Sequence, residues 1–139
     1  MTEMTPAQRD AFLRETRIAK LASLNADGSP NVVPVWFEWD GNTATIFTTR
    51  STAKVKRILR DPRVALSVEE GVGLPEAWVT IEGAAAIEEQ GGWELAQRLA
   101  HRYYTPEQNS TILPQWEKLA SEWVVVRITP TRIRSSAPG

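Results

Sequence analysis

The sequence predicts a mainly β, α+β domain: a six-stranded antiparallel barrel with three or four helices at its ends and corners. Three observations carry this prediction. Six short runs alternate apolar and polar residues or are dense in β-branched and aromatic ones. Most are joined by turns too short for a parallel crossover, and the helical segments sit between strands rather than in a regular alternation with them. Hairpin-linked strands close up their own exposed edges, so a barrel is the natural packing. With 139 residues the chain reads as one domain, large enough to bury a core without staples.

In order, Thr5-Pro6 opens a first helix, with Thr5 as N-cap and Pro6 at the first helical position. Phe12 and Leu13 supply its apolar side, and it fades near Glu15. Arg17 to Leu24 alternates well enough for a half-buried strand, and Asn25-Ala26-Asp27-Gly28 turns the chain. Asn31 to Trp39 is the second strand, in which Pro34 lacks a ladder donor and belongs at an edge or bulge. Asp40-Gly41 is a hairpin signal leading into the third strand, Thr43 to Thr49.

A short basic helix follows, placing Val55, Ile58 and Leu59 on one face, and Pro62 stops it. Arg63 to Glu69 is the fourth strand. Ala77 to Glu89 is a long fifth strand, with Gly83 marking a bulge or a close approach. Helices are expected over Trp93 to Tyr104, from Thr105-Pro106, and again over Pro114 to Ser121. The last strand runs from Glu122 to Ile128 and resumes over Thr131 to Arg134; residues 1–5 and 135–139 read as frayed tails.

Composition narrows the function. There is no cysteine, which removes disulfides, thiolate chemistry and cysteine-based metal sites and suits a reducing cytoplasm. Met1-Thr2-Glu3-Met4 is not the start of a secretory signal, and no apolar run approaches the roughly 20 residues that span a bilayer. A cytoplasmic protein without a membrane partner is expected. A net charge of −1 argues against a nucleic-acid binder.

Charge is nevertheless concentrated. Residues 50 to 63 hold six of the sixteen Lys and Arg residues against one acid, Asp61. This stretch, Phe47 to Pro62, passes from strand through a Ser/Thr corner into a helix. Such a corner offers unpaired backbone N–H groups and the positive end of a helix dipole, flanked here by Arg50, Lys54 and Arg57. A small anionic ligand fits this pattern, and a solvated helix face is the plain alternative.

Catalytic side chains are missing. His101 is the one histidine and lies in a helical pattern; no cluster has metal-ligand spacing, and there is neither a G-x-G-x-x-G nor a P-loop. Any enzymology must then come from a cofactor, which needs binding, orientation and electrostatics from the protein. The six tryptophans belong chiefly to core or interface, with Trp36 and Trp78 the two best placed to touch a flat ligand.

The order of elements and the motifs resemble the pyridoxamine 5′-phosphate oxidase-like split β-barrel flavoproteins, a group that includes deazaflavin (coenzyme F420)-dependent reductases. The matching residues are Ile18 to Ser23, Asp27 to Trp36, the corner with Lys54, Leu59-Arg60-Asp61-Pro62-Arg63-Val64-Ala65-Leu66 and Ile81-Glu82-Gly83-Ala84-Ala85. The resemblance implies an FMN-binding split-barrel fold and a homodimer with cofactor sites between subunits. It implies that the backbone of Val32, Val33, Pro34 and Val35 runs along the flavin ring. Phe47, Thr48, Thr49, Arg50, Thr52, Ala53, Lys54 and Arg57 would take the ring edge, ribityl chain and phosphate. Trp78 and Arg132 or Arg134 would contribute from the partner.

Where the oxidases proper carry phosphate-binding arginines, this chain has Val32 or Val33 and Ala53. Its Thr52-Ala53-Lys54 and Leu59-Arg60-Asp61-Pro62-Arg63 are more like the small reductases. The resemblance therefore implies F420, ahead of FMN, and hydride transfer to a small organic substrate. A non-catalytic flavin- or haem-binding carrier or sensor is the alternative.

Overall fold

The structure is a computed structural model that describes all 139 residues. Its elements are α1 (Pro6–Arg14), β1 (Ala19–Leu24), β2 (Pro30–Val35), β3 (Glu38–Trp39), β4 (Ala44–Thr49), α2 (Ala53–Arg60), β5 (Arg63–Glu69), β6 (Trp78–Glu88), α3 (Gly92–Tyr103), α4 (Pro106–Glu117) and β7 (Trp123–Ser136), with a 3₁₀ turn at Ala120–Glu122. All strands join one antiparallel sheet in the order β2-β1-β5-β6-β7-β4-β3.

Seven strands replace the expected six because the second one breaks. β2 and β3 lie at opposite ends of the sheet order, with only Trp36 and Phe37 between them. Three Cα steps from Val35 to Glu38 span at most roughly 11 Å. Seven strands laid flat would put the two edges roughly 29 Å apart. The sheet must therefore curl until its edges nearly meet, and Phe37, fully buried, plugs the closure. This is the split barrel.

The barrel interior holds Leu13, Leu21, Phe37, Ile46, Leu66, Ile81 and Ile128 in one apolar cluster. Each such side chain contributes roughly 1.5–3 kcal/mol by leaving water. A smaller cluster of Leu95, Leu99 and Val125 lies on the outer face, under α3. The run Trp123-Val124-Val125-Val126 is apolar without alternation for this reason: Val126 and Ile128 face the barrel interior while Val125 faces α3. A strand covered on both faces has no polar side to show.

Several local expectations hold. Thr5 caps α1 through a reciprocal capping box with Gln8, and Phe12 and Leu13 are its buried residues. Pro34 lies in the edge strand β2. Gly41 turns the β3–β4 hairpin at φ +98°, while the Asp40 carboxylate accepts the N–H groups of Asn42 and Thr43. Gly83 sits at a register shift between β6 and β7, where an added Cβ would meet the Thr129 carbonyl oxygen at 2.3 Å.

Others are corrected. Leu59 is 70% exposed, so the buried face of α2 is Val55 and Ile58 alone. Helix α4 runs unbroken through Pro114, because the acceptor that proline deprives, the Ser110 carbonyl, belongs to an exposed residue that water reaches. Strand β7 passes Pro130 at the bulge opposite Gly83 without a break. The ends are not frayed: Thr2 and Ala137 exchange both backbone hydrogen bonds at 2.8 Å, and Met4 N–H donates to Ser135 Oγ. No helix is long and apolar enough to cross a membrane.

Candidate functional site

The curl that makes the barrel also leaves it unsealed. β3 pairs with β4 only at Glu38↔Thr45 and Trp39↔Ala44, so the remainder of β4, Ile46 to Thr49, has a free edge on that side. β2 likewise has no neighbour beyond β1. These two free edges line a single cleft of about 500 Å³, through Pro34 and Val35 from β2 and Ile46 and Phe47 from β4. Exposed strand edges offer backbone donors and acceptors to whatever enters. The cleft is otherwise apolar, with Ile18, Trp36, Tyr104 and Trp116 completing its wall and Lys54 as its one charged residue.

Lys54 comes from the strand-to-helix corner. Thr52 caps α2, accepting the Val55 N–H, and its hydroxyl lies 3.2 Å from that of Thr48. Helix geometry leaves the Ala53 and Lys54 N–H groups without intrahelical acceptors, at the positive end of the helix dipole. The Lys54 ammonium is half-buried, and no acid pairs with it. Burial pushes its pKa below the ordinary lysine value, with the nearby Arg57 adding to the shift. Corner, dipole and unpaired cation together favour an anion.

The other predicted residues divide. Thr48 is buried within the corner, and Thr49 is half-buried beside it. Arg57 sends its Nε to Ser23 Oγ at 3.0 Å, keeping its positive charge unneutralised near the corner. Arg50 is engaged elsewhere: Glu89 accepts from its Nε and Nη2 at 2.8 and 2.7 Å, and the Ser121 carbonyl accepts at 3.2 Å. Val32 is 62% exposed on β2, and Val33 packs against the barrel core.

Trp78 pairs with Ser136 and Glu69 at the far start of β6 and lines a separate hollow with Gly73 and Leu74. Arg134 is bridged to Glu82. Neither residue reaches the cleft within one chain.

Of the aromatic wall, sequence reading named Trp36 and Phe47 and missed Tyr104 and Trp116. Trp36 stacks on Tyr103 with centroids 5.0 Å apart and planes 1° from parallel, and meets Tyr104 edge-on at 4.6 Å. Phe47 lies 5.5 Å from Trp116 and the same distance from Trp123. Trp116 on α4 and Tyr104 at the C-cap of α3 gave no signal in the sequence, because only the packing of α3 against α4 brings them to Trp36.

Chemically, the arrangement binds and orients. It presents one cation with helix N–H groups, two backbone edges, flat aromatic surfaces, and no carboxylate or histidine. That donor set fits a group with a planar ring and an anionic tail.

Comparison with known proteins agrees with this shape. The family described as Pyridoxamine 5′-phosphate oxidase matches residues 5–137. A Mycobacterium tuberculosis protein named F420H(2)-dependent biliverdin reductase is 36% identical over 103 residues, 71% of this chain and 72% of that protein. Among solved structures, a conserved hypothetical protein of Mycobacterium tuberculosis superposes with a TM-score of 0.76 at 29% identity, over 96% of this chain and 85% of that one. A structure described as an F420 reductase gives 0.72 at 23% identity, over 89% and 94%, and supports the fold alone.

Proposed function

This chain belongs to the pyridoxamine 5′-phosphate oxidase family, and from that premise we propose that it is an F420-dependent oxidoreductase, with FMN the second choice, acting as a homodimer on a small organic substrate. The observation that carries the proposal is the unpaired, half-buried Lys54 at a helix N-terminus, opening onto a cleft between two unpaired strand edges. The relative named F420H(2)-dependent biliverdin reductase favours the deazaflavin over FMN.

Bound here, the reduced cofactor would supply a hydride and solvent at the cleft mouth the proton that completes the reduction, so no nucleophile, acid or base is required of the chain. The chain's own contributions are physical. The Lys54 ammonium, the Thr48 and Thr52 hydroxyls and the Ala53 and Lys54 N–H groups hold a phosphate. Ala53 suits this role without an arginine, since it serves through its backbone. The β2 edge at Val33 to Val35 holds the ring plane and sets the hydrogen-bonding pattern at its rim. Ile18, Ile46 and Phe47 exclude water from the reacting face. In the dimer, Trp78 and Arg132 or Arg134 reach the cofactor of the partner subunit.

Calorimetric titration of the purified protein with F420 and with FMN tests the reading. Binding of F420 tighter than FMN is expected, together with loss of absorbance from the reduced deazaflavin when an electron acceptor is added. Failure of both cofactors to bind at high micromolar concentration overturns it. Binding without any electron transfer would point instead to a carrier.

A further inference from the structure

The aromatic residues of the chain fall into two groups by what their polar tips do. Trp39 Nε1 donates to Asp10 at 3.0 Å, Trp123 Nε1 to the Trp116 carbonyl at 2.9 Å, and Tyr103 Oη to the Arg17 carbonyl at 2.6 Å. These three are fastened. Trp36, Tyr104 and Trp116 have rings packed on one another or on their neighbours, yet their indole N–H and phenol groups bond to nothing in the chain. They are also not sealed from solvent, being absent from the buried unpaired polar atoms. Trp78 and Trp93 share that freedom but lie away from the cleft.

All three free tips therefore belong to residues lining the same cleft as Lys54. An indole N–H donates only, an ammonium donates only, and a phenol donates readily. No carboxylate and no side-chain amide lines this cleft to supply a matching acceptor. The acceptors of this cleft are then the backbone carbonyls of its two strand edges alone, and a ligand whose cation or donors face the aromatic side would be desolvated there without partners. The aromatic side accepts a flat molecule that carries its own acceptors.

We propose that Tyr104 and Trp116, carried by the α3–α4 pair, are the specificity-determining residues of this cleft, and that they grip a planar aromatic or conjugated ligand through a carbonyl or carboxylate oxygen. The purpose of that ligand, to receive the hydride, rests on the cofactor reading above; its recognition does not. Trp36 serves as the fixed platform, because Tyr103 holds its face and is itself tied to the Arg17 carbonyl. Tyr104 and Trp116 stand on the helical side, so changes in that helix pair alter the ligand without disturbing the phosphate corner on α2.

The test uses three probes of one shape: 2-naphthoate, 2-acetylnaphthalene and 2-naphthylmethylammonium. Each is titrated calorimetrically into the purified protein, with and without saturating F420, and into Tyr104→Phe and Trp116→Phe. Both variants keep a ring in place; thermal melting checks that they fold. The naphthoate is expected to bind about tenfold or more tighter than the ammonium probe, with the ketone between them. Each variant should loosen the naphthoate about threefold to tenfold, the worth of one hydrogen bond, and loosen F420 by clearly less, since the ring that borders the cofactor is kept and its phosphate is held at the corner.

Equal affinity for all three probes overturns the proposal, as does naphthoate binding indifferent to both variants. A matching loss of F420 affinity in the variants also overturns it, because the wall would then be part of the cofactor seat. If neither F420 nor FMN binds while the naphthoate pattern persists, the acceptor site stands and the cofactor reading falls.

Discussion

Trp36 and Tyr103 stack face to face, 5.0 Å between centroids and 1° from parallel, and the Tyr103 hydroxyl donates to the Arg17 carbonyl at 2.6 Å. One side chain thereby joins three parts of the fold: the two-residue crossing that closes the barrel, the end of α3, and the entry to β1. Tyr103→Phe keeps the ring and the stack but leaves the Arg17 carbonyl without this donor. We expect a loss of about 1–2 kcal/mol in urea-induced unfolding, with F420 affinity unchanged. A larger effect on the cofactor than on stability would give the hydroxyl a role inside the cleft.

The same hydroxyl sets a pH dependence. Burial raises the Tyr103 pKa above its ordinary 10.0. The folded state therefore favours the neutral phenol. Its contribution is complete below the unfolded value of 10.0 and is lost as pH rises from there through the folded pKa. Stability measured from pH 8 to 11.5 (about the span that brackets an ordinary tyrosine) should fall more steeply for the native chain than for Tyr103→Phe. Superimposable profiles would show that the phenol does not titrate with folding.

At the acid end the group to watch is Asp61, the C-cap of α2. The Arg63 side chain and N–H donate to its carboxylate and hold its pKa down, from 3.8 to about 2. The sign is opposite to that of the tyrosine: the contribution is present above 3.8 and disappears as pH falls toward 2. Asp61 is exposed to salt screening, so the effect should shrink in molar salt. Asp61→Asn should lower the melting temperature at neutral pH and flatten the acid limb, so that its profile and the native one converge as pH falls toward 2.

Gly83→Ala tests the bulge. A Cβ there would lie 2.3 Å from the Thr129 carbonyl oxygen, and the obstacle is backbone, which cannot swing aside as a side chain can. The β6–β7 pairing must shift locally, at a cost of about 1–3 kcal/mol. Chemical denaturation checks this, and a neutral effect would mean that the two strands slide without penalty.

Much of this fold was legible because local signals agree with the global arrangement. Thr5-Pro6, Asp40-Gly41 and Gly83 each specify a backbone conformation by themselves, and each appears where the sequence places it. The break of the second strand was not legible. Asn31 to Trp39 carries no turn residue at Trp36-Phe37, and what bends it is barrel closure, a property of the whole sheet. Pro114 misled for a related reason: its rule is strong for buried helices and weak where the deprived carbonyl reaches water. In the cleft, the corner at Thr48, Thr52 and Lys54 is contiguous in sequence and could be read. Tyr104 and Trp116 assemble with Trp36 only through tertiary contacts, so no spacing announced them.

The corner contains three cations with different surroundings, and this separates their expected effects. Arg50 is occupied by Glu89 and the Ser121 carbonyl. Lys54 faces the cleft with no acid beside it. Arg50→Ala should therefore lower the melting temperature slightly and leave F420 affinity within about twofold, the scatter expected of an exposed residue with other partners. Lys54→Ala should do the reverse. Removing an unpaired, half-buried ammonium relieves a desolvation cost, so stability should hold or rise. A charge-assisted hydrogen bond to phosphate contributes about 1.5–3 kcal/mol, so F420 affinity should fall about tenfold to hundredfold. Lys54→Arg should restore part of it. If instead Arg50→Ala weakens the cofactor and Lys54→Ala does not, the phosphate lies against the Glu89 side of the corner, and Arg50 must exchange its carboxylate for the ligand on binding.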